Sequence, residues 1–163
     1  MAVPRPGVQE RILLHLRDYV DHADKVEVPF ALSQMGIANA VSIARSNVPR
    51  AIAGMREQGH LIERQAHVTG VSRKRKAYFL TEEGANIADD IWSKVSTQPV
   101  RLIHPDGHSE TLDLAQAMES TDLPMRHVDF LRYIDDTGTV DLSTLSAELI
   151  ERDLSKHIEK QLV

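Results

Sequence analysis

The stretch SQMGIANAV-SIA-RSNVPRAIAGMREQG-H-LIERQAHV-TGVSRK-RKAYFL-TEEG, residues 33–84, decides the architecture of this chain. Ser33–Val41 has the apolar spacing of a short helix, with Ser33 as its cap, and Ser42-Ile43-Ala44 reads as a tight joint. Arg45–Gln58 follows as a second helix, ended by Gly59 in a left-handed cap. Leu61–Val68 and Arg75–Leu80 read as two strands, joined by a tip that carries Arg73, Lys74, Arg75 and Lys76.

Helix, joint, helix and basic hairpin, in that order, is the plan of a winged helix-turn-helix. Turning ~100° per residue, the second helix places Val48, Ala51, Ile52 and Met55 on one face. Ser46, Arg50, Ala53 and Glu57 fall on the other, with Asn47, Pro49 and Gly54 at its borders. Pro49 has no N–H, so a helix starting at Arg45 lacks its first ladder bond; a cap at Ser46 removes the conflict. Either start leaves the first turn open to irregularity.

The flanks extend the unit. Val8, Ile12, Leu16 and Val20 recur at four-residue spacing, with Leu13 and Tyr19 beside them, as in an amphipathic helix of about three to four turns. Asp21–Lys25 ends it, and Val26–Pro29 is a candidate short strand alongside the hairpin. Thr81 can cap a further helix running to about Val95, whose first turn holds Glu82 and Glu83 beside the N-terminal dipole. Its Ile87, Ile91, Trp92 and Val95 stripe suits packing on the first helix and a dimer seam equally.

Ser96–Pro99 reads as a linker. Beyond it, Val100–Ile103 and Ser109–Leu114 flank His104-Pro105-Asp106-Gly107, a turn sequence in which Pro fixes φ and Gly accepts a positive one. A β-hairpin is expected, then helices over Leu114–Met118, Pro124–Ile134 and Leu142–Leu162, the last as one helix or two short ones, with Asp135–Gly138 as a breaker. The fold class is therefore α+β: a winged helix-turn-helix over 1–96 and a small hairpin-plus-helices domain over 99–163. The last helix has no stop signal, so a piece of a longer architecture is expected.

Charge divides the chain the same way. The 163 residues carry a net charge of −5. Residues 41–80 nevertheless hold eight Lys and Arg against two Glu, a local +6, whereas residues 99–163 hold six basic and thirteen acidic side chains, a local −7. The local field decides where a polyanion lands. The first part thus suits double-stranded DNA, and the second a regulatory or interaction role.

Other classes find little support. There is no cysteine, which excludes disulfides and thiolate metal sites and suits a cytoplasmic location. No apolar run approaches the roughly 18 residues of a membrane span. Asp89-Asp90 and Asp135-Asp136 are consecutive, so on a helix their carboxylates diverge. With no nucleophile motif and no phosphate loop, neither an enzyme nor a cofactor is expected. His104 and His108 bracket Asp106, a donor set that suits a divalent metal. Ordinary turn chemistry accounts for the same three residues, and no metal is assigned. His15 and His60, beside apolar stripes, read as partly buried structural residues.

Residues 34–52, QMGIANAVSIARSNVPRAI, resemble the helix-turn-helix of archaeal winged-helix transcriptional regulators, and 75–84, RKAYFLTEEG, looks like the wing-to-helix junction of MarR-type proteins. The resemblance covers roughly residues 8–95. It implies sequence-specific DNA binding in transcription regulation, with Arg50 at a groove-facing position and Arg73, Lys74 and Arg75 on the wing. Together with the face analysis, the candidate DNA-binding set is Arg45, Ser46, Asn47, Arg50, Arg73, Lys74, Arg75 and Lys76. Ala44 stands where the family has Ser or Thr, and Pro49 where it has a small polar residue. A homodimer remains open. The acidic part is unlike the dimerisation helices of MarR proteins. It is more like the segment between an archaeal winged helix and a downstream ATPase, although no Gly-x-x-x-x-Gly-Lys-Ser/Thr is present. The rival expectation is a winged helix that docks proteins, or the sensor part of a larger signalling ATPase.

Overall fold

The computed structural model describes residues 6–123 and 125–161, with side chains described as far as 151. Two compact units are resolved: residues 6–95 together with Arg126–Asp129, and Ser96–Met125 with the chain from Phe130 onward.

In the first unit α1 (Val8–Arg17), β1 (Glu27–Val28), α2 (Gln34–Val41), α3 (Val48–Glu57), β2 (Leu61–Val68), β3 (Arg75–Leu80) and α4 (Glu82–Val95) follow in order. The sheet order is β1-β2-β3. β1 runs parallel to β2, pairing Val28 with Val68, and β2 runs antiparallel to β3 from Leu61↔Leu80 to Ala66↔Arg75. This is the topology of a winged helix-turn-helix. Its core joins Ile12 and Leu16 of α1, Ile37 and Val41 of α2, Ile52 and Met55 of α3, and Ala77 and Phe79 of β3. Apolar positions spaced for one face of each helix meet there, and burial at roughly 25 cal/mol per Å² is what holds them.

Two junctions set the angles between these elements. Gly59, at φ +79°, closes α3 in a Schellman motif: its N–H bonds Arg56 O at 3.0 Å, and the His60 N–H bonds Met55 O at 3.0 Å. At the start of α4 the Thr81 hydroxyl accepts from the Gly84 N–H at 3.0 Å and donates to Gly59 O at 2.6 Å. A Cβ on Gly84 would stand 2.1 Å from the His60 carbonyl, so only glycine lets α4 leave the sheet at this angle. The Leu-Thr-Glu-Glu-Gly junction is therefore a packing device. α4 lies on α1, and Arg17 and Asp89 pair across that contact at 2.7 Å.

Some expectations change in detail. α1 ends at Arg17, and Val20 belongs to a separate 3₁₀ turn, Val20–His22, where it is half exposed. The expected single helix over Arg45–Gln58 is a 3₁₀ turn, Arg45–Asn47, followed by α3 from Val48. Pro49 is the cause: at the second helical position its missing N–H leaves no bond unmade, whereas a start at Arg45 needs that bond.

The second unit contains β4 (Pro99–Ile103), β5 (Ser109–Asp113), α5 (Leu114–Thr121), α6 (His127–Leu131), β6 (Thr139–Asp141) and α7 (Leu142–Gln161). The β4–β5 hairpin forms as its turn sequence requires, with Ile103 paired to Ser109. α5 begins at Asp113, which accepts from the Gln116 N–H at 2.8 Å. A third strand, β6, was not legible: Thr139–Asp141 pairs parallel to β4, making the sheet order β5-β4-β6. Three residues directly after a Gly are too few for an alternation signal. The helix expected over Pro124–Ile134 is only α6; tight turns close onto the Phe130 and Leu131 carbonyls, and residue 124 lies outside the described residues. Val100, Leu102, Leu114, Phe130, Val140 and Leu145 are buried here.

No helix among the described residues is long and apolar enough to cross a membrane.

Candidate nucleic-acid interface

α2 and α3 are held as a pair from both ends of their joint. The Ser33 hydroxyl caps α2, accepting from the Gly36 N–H at 3.1 Å. Ser42, left-handed at φ 57°, ends it. The Arg11 guanidinium then donates to Val41 O at 2.7 Å, fastening the end of α2 to α1. With Val48, Ile52 and Met55 buried, α3 turns Arg50, Ala53 and Glu57 to solvent, and Ser46 and Asn47 are exposed in the preceding turn.

The wing is anchored by polar contacts at its base. Gln34 at the start of α2 donates to the Tyr78 hydroxyl at 3.0 Å, and that hydroxyl donates to Glu63 at 2.8 Å. Burial pushes the Tyr78 phenol up to about 12, so it remains a donor at any ordinary pH. Arg64 donates to the Ala23 and Lys25 carbonyls at 2.8 and 2.9 Å, and its guanidinium lies 4.5 Å from the centre of the Phe79 ring. It is a brace for the sheet, although by charge alone it counts with the basic stretch.

These supports bring one part of the candidate set together. Arg45, Lys74, Arg75 and Lys76 line a common groove of about 670 Å³ with Gln34 and Met35 of α2. Arg50, Ser46, Asn47 and Arg73 are exposed but lie outside the lining of that groove. The cations also differ in their partners. Lys76 stands 3.9 Å from Glu63, which also pairs with Arg56 at 3.3 Å. Among the described residues Arg45, Arg50, Arg73, Lys74 and Arg75 make no ion pair. Five guanidinium or ammonium groups thus face solvent without a counter-charge among the described residues, a local field that attracts a polyanion.

Several lining residues escaped the sequence reading, among them two glutamines. Gln34 and Gln65 are neutral, so no charge signal picks them out; the cap at Ser33, which starts α2 at Gln34, was the one available clue.

No protein-family model matches the sequence, and no curated protein matches it. Solved structures do. A mutant form of Lactococcus lactis ZitR is 18% identical, with 94% of this chain and 73% of that chain covered at a TM-score of 0.45. MepR, a transcription regulator of the Staphylococcus aureus multidrug efflux pump MepA, is 14% identical, with 95% and 78% covered at a TM-score of 0.40. The S. aureus MepR–DNA complex is 13% identical, with 96% and 80% covered at a TM-score of 0.42.

Proposed function

We propose that this chain binds double-stranded DNA with sequence preference and acts as a transcriptional regulator of MarR-like, winged-helix type. The observation that carries the reading is the groove in which Arg45 of the pre-helix turn faces Lys74 and Arg75 of the wing, all without an ion-pair partner among the described residues. α3 enters the major groove in this reading. Ser46, Asn47 and Arg50 meet base edges, where an arginine can bond guanine bidentately. Arg73, Lys74 and Arg75 neutralise phosphates beside it, with Lys76 contributing less because Glu63 already shares its charge. Arg45 stands between the two sets and contacts the backbone. The acidic second unit takes the regulatory or interaction role.

A selection from genomic fragments by the full chain, followed by sequencing, tests this. A recurrent motif supports groove reading, and two-fold symmetry in it would make the binding species a homodimer. Fragments recovered without any shared motif, or no recovery at low salt, contradict sequence-specific binding. The second outcome favours a wing that docks an acidic protein.

A further inference from the structure

The β4–β5 hairpin gathers a second set of chemically active side chains, independent of the DNA-binding reading. Antiparallel pairing places His104 and His108 on either side of the turn, with the His104 N–H bonded to His108 O at 2.9 Å. Side chains two apart on a strand share a face, so Glu110 stands on the side of His108. The outcome is a cluster in which one ligand atom from each of His104, His108 and Glu110 lies within 4.8 Å of the others. His104 Nε2 is 3.6 Å from Glu110 Oε2, and His108 Nε2 is 3.9 Å from the same oxygen.

Three features set this cluster apart from ordinary turn chemistry. First, His104 Nε2 is buried and has no hydrogen-bond partner. A buried polar atom in that condition is destabilising, and a bound ligand would relieve it. Second, the tautomer of His108 is already set. Asp106 Oδ1 accepts from its Nδ1–H at 2.9 Å and from its backbone N–H at 3.0 Å. A carboxylate on Nδ1 fixes the tautomer whose Nε2 carries the free lone pair, as the outer carboxylate does in carboxylate–histidine–zinc arrangements. Third, the donor types agree: two imidazoles and a carboxylate suit a first-row divalent ion of zinc type, not calcium or magnesium.

We propose that His104 Nε2, His108 Nε2 and the Glu110 carboxylate form a binding site for a divalent transition-metal ion, with Asp106 holding His108 in the tautomer that leaves Nε2 free. Donors bound at roughly 2.0–2.2 Å to a tetrahedral ion stand about 3.4 Å apart, so the two separations to Glu110, 3.6 and 3.9 Å, need to close by only a few tenths of an ångström. The rings now stack, with centroids 4.2 Å apart and planes 2° from parallel. Two parallel rings cannot both aim a lone pair at one ion, so binding rotates one of them. His108 is the more exposed, at 57% against 26% for the His104 side chain, and it is the ring free to turn. Three protein donors leave a fourth position for water or an exogenous ligand.

The test is titration of zinc alone into the full chain, followed by calorimetry and by the histidine ring-nitrogen resonances. One ion per chain is expected, moving the ring-nitrogen signals of His104 and His108 and of no other histidine. His108→Ala and the shape-conserving Glu110→Gln should each weaken uptake at least about tenfold, whereas His67→Ala, on the wing strand, should leave it unchanged. Asp106→Asn should weaken it less than loss of a ligand, in the way outer-shell partners do. Unchanged circular dichroism of Glu110→Gln excludes unfolding as the cause. Absence of zinc uptake, or uptake that survives both His108→Ala and Glu110→Gln, overturns the site.

Discussion

Two hairpins in this molecule share antiparallel pairing and differ in what their tips can hold. The β2–β3 wing carries Arg73, Lys74 and Arg75 with no ion pair among the described residues, whereas the β4–β5 tip folds His104, Asp106, His108 and Glu110 onto one another. In the wing, charge is spread outward over exposed long side chains, which suits a large ligand of distributed charge. At the second tip, short side chains converge on a point, which suits a single ion. Backbone pairing sets only the spacing; side-chain length and sign choose between a polyanion and a cation.

Removing the wing charges should have the largest effect. Arg73, Lys74 and Arg75 replaced together by Ala should weaken every duplex alike. The slope of log K against log salt should shallow by about 2–3, since each phosphate contact contributes roughly 0.9. Filter binding at several salt concentrations reads this. Selective loss on one sequence would mean that the wing reads bases.

Histidine offers a second comparison. The tip rings are partly exposed, but His15 on α1 is fully buried. Its Nδ1 accepts from Arg126 at 2.8 Å, so its Nε2–H donates to Ala31 O at 2.7 Å and the ring is neutral. Burial, aided by Arg126 and opposed by the Ala31 carbonyl, lowers its pKa to about 4. Between about pH 6.5 and about pH 4 the unfolded chain takes up this proton and the folded chain does not. Stability from this residue is therefore full above about pH 6.5 and falls with falling pH, by about 2–3 kcal/mol at about pH 4.5. Urea unfolding at about pH 7 and about pH 4.5 should show this loss, and His15→Gln should reduce the difference.

Arg50→Ala should cost about 1–3 kcal/mol on the preferred site and almost nothing on random duplex. Equal losses on both would move Arg50 to the phosphate-contacting set. The smallest effect belongs to the second hairpin: His108→Ala should leave affinity for random duplex unchanged in zinc-free buffer, because the substitution leaves every candidate DNA-binding cation in place.

How far the sequence carried depended on how local each signal is. α2, the wing strands and the α4 junction were legible because Ser33, Gly59, Thr81 and the basic tip act within a few residues of themselves. Pro49 marked the irregular start of α3 for the same reason, although it left the cap undecided between Ala44 and Ser46; Asn47 takes that place. β6 was illegible because three residues carry no period and its pairing with β4 joins distant parts of the chain, as in Leu102↔Val140. Arg64 counts toward the +6 of residues 41–80, but its bonds to the Ala23 and Lys25 carbonyls tie it into the fold. The metal cluster was half visible. His104, Asp106 and His108 stood out on the turn, but Glu110 joins them only once the strand face is known, and Asp106 then becomes the support.

The salt dependence of duplex binding by the full chain tests the central claim most directly. Five cations, Arg45, Arg50, Arg73, Lys74 and Arg75, stand without internal counter-charge among the described residues, so a slope of roughly −4 to −5 in log K against log salt is expected if each meets a phosphate or the groove beside one. A slope near zero, or no binding to duplex at low salt, would contradict DNA binding by this face.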